Sequence, residues 1–246
     1  MRDAWRHFLA EFIGTFALVF VGGASIMIAR DTNSPSGLIG IALAHGLILA
    51  VMVSALMRIS GHFNPAVTIG FMAARRIEAS MAGVYIMGQL LGAIFGAYAL
   101  KFTFPFALFE ATRGGGQAIA LQVSGGQAFV LEAIATFFLG IVIFGTAVDP
   151  KAPRIGGLAI GFVVAADILA IGPLTGASMN PARSFGPAVA SGIFEAQIIY
   201  WIAPITGAVL AAVLYEYLFL RRETEPVLHG TLRPAATTGT KGGAES

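Results

Sequence analysis

The tripeptide Asn-Pro-Ala occurs twice, in two stretches that decide how the chain folds. They are Ile59-Ser-Gly-His-Phe-Asn-Pro-Ala-Val-Thr68 and Thr175-Gly-Ala-Ser-Met-Asn-Pro-Ala-Arg-Ser-Phe-Gly-Pro187. Asparagine caps the unpaired N–H groups of a helix start, and proline is preset for the first helical position. Asn64 and Asn180 should therefore each begin a helix. The apolar pieces concerned, about 64–74 and 180–191, are too short to cross a bilayer, so we expect two half-helices that end inside the membrane.

The rest of the chain has the composition of a membrane protein. Of its 246 residues, 57% are apolar and only 11% are charged, against about 25% charged in a soluble domain. Asp, Glu, Lys and Arg are absent from 12–29, 32–57, 79–100, 133–148 and 196–215. Several of these runs reach the roughly 20 residues that a spanning helix needs. We predict an all-α membrane protein with six transmembrane helices, at about 8–28, 38–57, 80–102, 127–148, 156–173 and 197–220.

The two halves of the chain are copies of each other. Three landmarks recur in the same order, at offsets of 121, 116 and 115: Glu11-x3-Thr15-Phe16 with Glu132-x3-Thr136-Phe137, Asn64-Pro65-Ala66 with Asn180-Pro181-Ala182, and Tyr85 with Tyr200. Each half has three spans, so the second half enters the membrane upside down. This predicts a channel domain over 1–222 with repeat halves at about 8–103 and 127–220, an external loop at 104–126, and a mobile cytoplasmic tail at 223–246.

Positive charge indicates the orientation. With six spans both termini lie on one side, whose loops carry eleven of the fifteen basic residues. The opposite side carries Arg30, Lys101, Arg113 and Arg183. The positive-inside rule then places both termini in the cytoplasm, and we expect a multi-pass protein of the cell membrane.

The inversion of the second half should bring the two Asn-Pro-Ala segments together. It should point the starts of both half-helices at each other in mid-membrane, where each brings a partial positive charge of about half a unit. Amide donors and positive dipole ends hold a passing water by its oxygen and repel cations, so protons are not relayed. Asn-Pro-Ala could be only an efficient helix cap, but two copies at equivalent positions make that reading insufficient.

At this point the chain resembles the aquaporins, or major intrinsic proteins, over about residues 8–220. The two motifs quoted above and the Glu-x3-Thr starts of both halves carry the resemblance. It implies a homotetramer in which each subunit has its own pore, with Asn64, Pro65, Ala66, Asn180, Pro181 and Ala182 at the centre.

The resemblance also implies a selectivity filter towards the outside. Its positions here are His45, Ile168, Ala177 and Arg183, with Ala44 as the alternative to His45 if the first motif is aligned without a gap. This filter is similar to that of the plant tonoplast intrinsic proteins, whose relatives pass ammonia, urea or hydrogen peroxide besides water. Ser184, Ala188, Tyr200 and Trp201 resemble the water-channel branch, which disfavours a glycerol-type facilitator.

Buried carboxylates and histidines admit more than one interpretation. Glu11 and Glu132 could relay protons, but we favour structural support: acceptors for N–H groups of the re-entrant loops. Arg183 at the outer end of a lumen is costly unless it is solvated or paired, and we favour a functional role, donating to the permeant and repelling cations. His62 could line the inner vestibule or bond loop backbone. Asp167 could hold the outer loop or attract cationic solutes, and we favour the former.

Other classes of protein fit less well. A secondary transporter also uses inverted repeats and broken helices, but it usually shows Asp, Glu or His relays and mobile gates, whereas both half-helices here converge on an asparagine pair. The four histidines have no metal-ligand spacing, and no nucleophile motif is present. We therefore expect a passive channel for water and small neutral solutes that excludes protons and ions, with lipid around it, and without enzymatic activity, cofactor, metal or nucleic-acid partner.

Overall fold

A computed structural model describes residues 3–31, 37–153 and 155–220 of the chain. Six helices are long and apolar enough to span a membrane, as predicted. They are α1 (Ala4–Asp31), α2 (Gly37–Leu56), α4 (Ala79–Thr103), α6 (Gly125–Ile143), α7 (Gly156–Thr175) and α9 (Gln197–Leu214). The predicted tail at 223–246 lies outside the described residues.

Two short helices supply the expected half-spans. α3 (Pro65–Ala73) begins after Asn64, and α8 (Pro181–Ser191) begins after Asn180. Each packs mainly on a helix of the opposite half: α3 lies along α9, and α8 along α4. This exchange ties the two halves into one unit and buries both motifs.

The long helices pair in the same way in each half, as an inverted repeat requires. α1 packs along α4, α6 packs along α9, and the halves meet where α2 crosses α7. At that crossing a Cβ on Gly46 would lie 2.6 Å from the carbonyl oxygen of Gly161, and a Cβ on Gly161 would likewise clash with the backbone of Gly46. Glycine at both positions therefore lets the two backbones touch.

Two features add detail to the sequence prediction. α6 and α9 end in π-helical turns, Phe144–Val148 and Tyr215–Leu220, which account for the longer spans predicted there. The predicted loop 104–126 contains a short helix, α5 (Phe106–Thr112).

Loop 104–126, which the sequence predicts to be external, packs over one end of the bundle, called the outer end below. Gly115 packs against Gly23 of α1, where a Cβ on Gly115 would lie 2.5 Å from the Cα of Gly23. Ala120 donates its backbone N–H to the carbonyl of Leu174 at 2.9 Å. These contacts bring the loop to the rim of the candidate pore.

Candidate functional site

Both asparagines cap their half-helices. Oδ1 of Asn64 accepts from the backbone N–H of Ala66 at 2.9 Å. Oδ1 of Asn180 accepts from the N–H groups of Ala182 at 3.0 Å and Arg183 at 3.3 Å. Proline follows at the first helical position in each case. The carbonyl oxygen of each amide is thus used inside its own helix start, which turns the amide nitrogen outwards.

The amide nitrogens reach across to the other half. Nδ2 of Asn64 donates to the carbonyl of Met179 at 2.8 Å, and Nδ2 of Asn180 donates to the carbonyl of Phe63 at 2.8 Å. Each acceptor is the residue just before the opposite asparagine, so the two contacts are symmetric. The N-termini of α3 and α8 therefore face each other. An amide has two N–H groups, so the second of each asparagine remains for the cavity that both residues line.

An uncommon backbone conformation makes this crossing possible. Phe63 has φ +47° and Met179 has φ +52°, in the left-handed region. Such a conformation costs roughly 1–3 kcal/mol in a residue that is not glycine. It turns the carbonyls of Phe63 and Met179 towards the opposite asparagines. The sequence prediction missed both residues, although the 116-residue offset that relates Asn64 to Asn180 also relates Phe63 to Met179.

The strained loop of the first half is held by Glu11. One carboxylate oxygen accepts from the hydroxyl of Ser60 and from the N–H of His62, the latter at 2.9 Å. The other accepts from the N–H of Phe63 and from Nε2 of Gln89, each at 2.6 Å. Glu11 is fully buried, and four donors compensate its loss of water.

Glu132 does the same in the second half. Oε1 accepts from the hydroxyl of Thr175 at 2.7 Å and from the N–H of Ser178 at 2.9 Å, and Oε2 accepts from the N–H of Met179 at 2.7 Å. The two carboxylates thus fix the residues whose carbonyls receive the asparagine amides. Ser60, Gln89 and Thr175, which complete this support, were not singled out from the sequence.

A narrow cavity of about 30 Å³ runs past both asparagines. One side of it is polar, with His62, the two asparagines and Arg183, and the other is an aliphatic wall. The wall residues are Leu18, Leu49, Val53, Val67, Leu139, Ile143, Ile160 and Val164. A buried water needs about 10–15 Å³ of such space, so the cavity holds a file of very few waters.

Arg183 and His45 stand together at the outer end of this cavity. Arg183 donates from Nη1 to the carbonyls of Gly176 and Ala177, each at 3.2 Å, and from Nη2 to Nε2 of His45 at 3.0 Å. Of the two candidates on α2, His45 lines the cavity and makes the contact. The buried Nε of Arg183 has no hydrogen-bond partner among the described residues.

The other two expected filter residues lie around the same arginine. Ala177 lines the narrow cavity, while Ile168 lines a wider outer vestibule of about 450 Å³. Arg183 borders both spaces, so the four positions come together where the vestibule narrows. Gln117 of the external loop also lines the vestibule and is 8% exposed. The sequence prediction did not include Gln117, because only the folding of the loop brings it there.

Two further residues can now be located. His62 lines the narrow cavity, and its Nδ1 lies 3.1 Å from the hydroxyl of Thr68. Asp167 is buried on α7, is not among the described residues that line either cavity, and its Oδ2 has no hydrogen-bond partner among them. In the described ranges, no three His, Cys, Asp or Glu side chains lie close enough together to hold a metal ion.

Comparison with known proteins identifies the family. Residues 1–215 match the family model described as "Major intrinsic protein". The chain belongs to the major intrinsic protein family. It is 42% identical to the probable aquaporin TIP3-2 of Arabidopsis thaliana, over 95% of this chain and 91% of that protein. It is also 42% identical to aquaporin TIP1-2 of Zea mays, over 89% of this chain and 87% of that protein.

Solved structures agree with this assignment. An X-ray structure of the aquaglyceroporin from Plasmodium falciparum superposes with a TM-score of 0.79 at 25% sequence identity. The match covers 89% of this chain and 98% of that one. The major intrinsic proteins are a channel family, and the inverted repeat of six spans and two half-helices is confirmed as the fold of this member.

Proposed function

We propose that the protein is a passive channel for water. The observation that carries this proposal is the crossed pair of amide contacts, in which Asn64 donates to Met179 and Asn180 donates to Phe63, each at 2.8 Å. It leaves two N–H donors side by side in a cavity whose opposite wall is aliphatic. Water can be held there by its oxygen and has few other partners, so it passes with little friction.

The same site excludes protons and cations. Both half-helix starts point their partial positive charge at one place, and the fixed charge of Arg183 stands at the outer end. A water whose oxygen accepts two bonds from Asn64 and Asn180 cannot also accept a proton from its neighbour in the file. A cation meets like charge at both points without carboxylates to offset it in the lumen, because Glu11 and Glu132 point into the loops.

The filter supports passage of other small neutral solutes: ammonia, urea or hydrogen peroxide. Ile168 contributes hydrocarbon where a polar ring would supply a donor, and Ala177 contributes only a methyl group beside its carbonyl. A solute with few hydrogen-bonding groups then loses less on leaving water. A glycerol-type facilitator is the alternative function. We favour water because Ser184, Ala188, Tyr200 and Trp201 resemble the water-channel branch.

Buried contacts of Tyr200 and Trp201 also favour the water-channel branch. Tyr200 donates its hydroxyl to the carbonyl of Thr175 at 2.7 Å, and the ring of Trp201 packs edge-on against Phe185 at 6.0 Å. Both contacts brace the loop and half-helix that carry Arg183.

We also propose the domain boundaries, the oligomeric state and the location of the protein. The channel domain spans 1–222, with repeat halves at about 8–103 and 127–220, the loop 104–126 outside, and the tail 223–246 in the cytoplasm. The protein forms a homotetramer in the cell membrane and acts without enzymatic activity. Exposed leucine, isoleucine and phenylalanine on the outer faces of α2, α6 and α7 support contact with lipid or neighbouring subunits.

Stopped-flow light scattering on proteoliposomes tests the proposal. The purified protein should raise water permeability above that of empty vesicles with a low activation energy, and glycerol permeability should stay near background. Ammonia and urea are measured in the same vesicles, and a pH-sensitive dye reports proton flux. Glycerol flux as fast as water flux would support the facilitator instead. Flux coupled to a proton gradient would support a secondary transporter.

A further inference from the structure

The ring of His45 lies in a hollow on α1 at Gly22. A Cβ added to Gly22 would lie 2.6 Å from Cδ2 and 2.9 Å from Cε1 of His45, and would also clash with Nε2. Non-bonded carbon atoms prefer about 3.5–4.0 Å. No side chain at position 22 can therefore coexist with the ring in its present place. Only glycine lets the Nε2 edge of the imidazole lie this close to the backbone of α1.

Hydrogen bonds at both nitrogens hold the ring in this hollow. Nδ1 lies 2.8 Å from the carbonyl oxygen of Ile41, one turn earlier on α2. Nε2 lies 3.0 Å from Nη2 of Arg183. His45 is 1% exposed and lines the narrow cavity. A ring displaced from Gly22 moves away from α1, and both the narrow cavity and Arg183 border its present place.

At the inner end of the pore, different residues occupy the positions that correspond to Gly22 and His45. The offset of 121 that relates Glu11 to Glu132 relates Gly22 to Ile143, and the offset of 115 that relates Gly46 to Gly161 relates His45 to Ile160. Ile143 and Ile160 both line the cavity. Two side chains of middle size share the space at the inner end, whereas a ring and an empty position share it at the outer end.

We propose that Gly22 is a positioning residue for the filter: its missing side chain seats His45 against α1 and so sets the width of the lumen beside Arg183. Gly22 touches no permeant, and it acts through the ring. The inference rests on the proposed channel function and adds a determinant of its size limit. Filling the hollow narrows the pore only while His45 is present.

The test is a double-mutant cycle between positions 22 and 45. Gly22→Ala should lower the water permeability per channel roughly fivefold or more, the order expected when overpacking is carried into the permeation barrier. Permeability to urea should fall by a larger factor than permeability to water, because urea is wider. In a His45→Ala background the hollow is empty, so adding Gly22→Ala should change neither permeability further.

Gly23, next to Gly22 on α1, and Gly40, on α2, serve as matched controls. A Cβ on Gly23 would lie 2.5 Å from Cδ1 of Leu100 and 2.9 Å from the carbonyl oxygen of Gly114, away from the ring. Gly23→Ala therefore overpacks α1 without touching the filter, and His45→Ala should not relieve its effect. Gly40 has nothing within 4 Å of an added Cβ. Gly40→Ala, on the helix that carries His45, should leave permeability unchanged.

The outcomes separate the inference from the proposed function. All rates are divided by the amount of protein in the vesicles, and thermal unfolding in detergent is measured for each variant. If Gly22→Ala assembles only when combined with His45→Ala, that rescue supports the contact. The inference is wrong if Gly22→Ala lowers the permeability by the same factor in the wild-type protein and in the His45→Ala background. It is also wrong if Gly22→Ala fails to assemble both alone and combined with His45→Ala. A wild-type protein without water permeability would overturn the proposed function as well.

Discussion

Arg183 donates a hydrogen bond from Nη2 to Nε2 of His45 at 3.0 Å. A guanidinium has only donors, so Nε2 must be the unprotonated nitrogen of the ring. The ring proton then lies on Nδ1, where it meets the carbonyl oxygen of Ile41 at 2.8 Å. A second proton would set N–H against N–H in a buried place beside a fixed positive charge. The geometry therefore requires a neutral His45.

This geometry predicts that the filter does not titrate near neutral pH. Water permeability should stay level between about pH 6 and pH 8, although an unperturbed imidazole changes its charge within that range. His45→Ala, measured over the same range, shows which part of any pH dependence belongs to the ring. A sigmoidal change in the wild-type protein that His45→Ala abolishes would contradict the neutral assignment.

The apolar wall of the filter makes a second prediction. Ile168→His adds a ring donor where the vestibule meets Arg183, and it should raise the ratio of water to ammonia permeability roughly threefold or more, since one hydrogen bond is worth about 0.5–1.5 kcal/mol. The donor helps water more than ammonia, because a water oxygen has two lone pairs and can accept from Arg183 and from the added ring together, whereas ammonia has one lone pair. Both solutes are followed by stopped flow in the same vesicles.

A control separates polarity from size at this position. Ile168→Val removes one methyl group without adding a donor, so it should change both permeabilities in the same direction and leave their ratio near that of the wild-type protein. An unchanged ratio in Ile168→His would place Ile168 outside the filter.

The sequence was enough to predict the architecture, because the inversion follows from the order of the motifs and from the odd number of spans in each half. Two copies of Glu-x3-Thr and Asn-Pro-Ala with three spans each leave one arrangement of the half-helices. The meeting of Asn64 with Asn180 follows from that count. No geometry finer than a helix start was needed.

The parts that escaped prediction depend on backbone conformation and on loops. The left-handed φ of Phe63 and Met179 is not favoured by either residue type, and Glu11 and Glu132 impose it through the tertiary fold. Gln117 reaches the vestibule because the loop after α5 lies over the bundle. The role of Gly22 appears only when the ring of His45 is seen against it, since glycines are common throughout the spanning helices.

The buried carboxylates support a third prediction. Glu132→Gln keeps one oxygen for Thr175 and Ser178 but turns an NH₂ group towards the N–H of Met179, which loses its acceptor. Leaving buried donors unsatisfied costs about 1–3 kcal/mol, so the thermal unfolding temperature in detergent should fall and water permeability should fall with it. Proton flux should stay at the wild-type background, because the carboxylate supports the loop and does not carry protons.

Glu110 offers a control for that substitution. It is an exposed residue of α5, and Glu110→Gln changes the formal charge by the same amount without affecting a buried acceptor. Its unfolding temperature and permeability should match those of the wild-type protein. A change of proton flux in Glu132→Gln at unchanged stability would favour a relay and contradict the supporting role.

The last prediction separates the two tasks of Asn64, capping α3 and donating to Met179. Asn64→Asp keeps an oxygen for the N–H of Ala66, so the cap survives, but it replaces the donor by an oxygen that faces the carbonyl of Met179. Asn64→Ser also keeps a cap and loses the donor without adding charge. Both variants should lower water permeability by up to roughly tenfold, because a buried neutral hydrogen bond such as this one contributes about 0.5–1.5 kcal/mol. Only Asn64→Asp should also admit cations, because a carboxylate in the lumen offsets the positive ends of α3 and α8. Ion flux is read with potential-sensitive and pH-sensitive dyes in the same vesicles, and equal ion exclusion by the two variants would show that the positive ends of α3 and α8 are not what excludes cations.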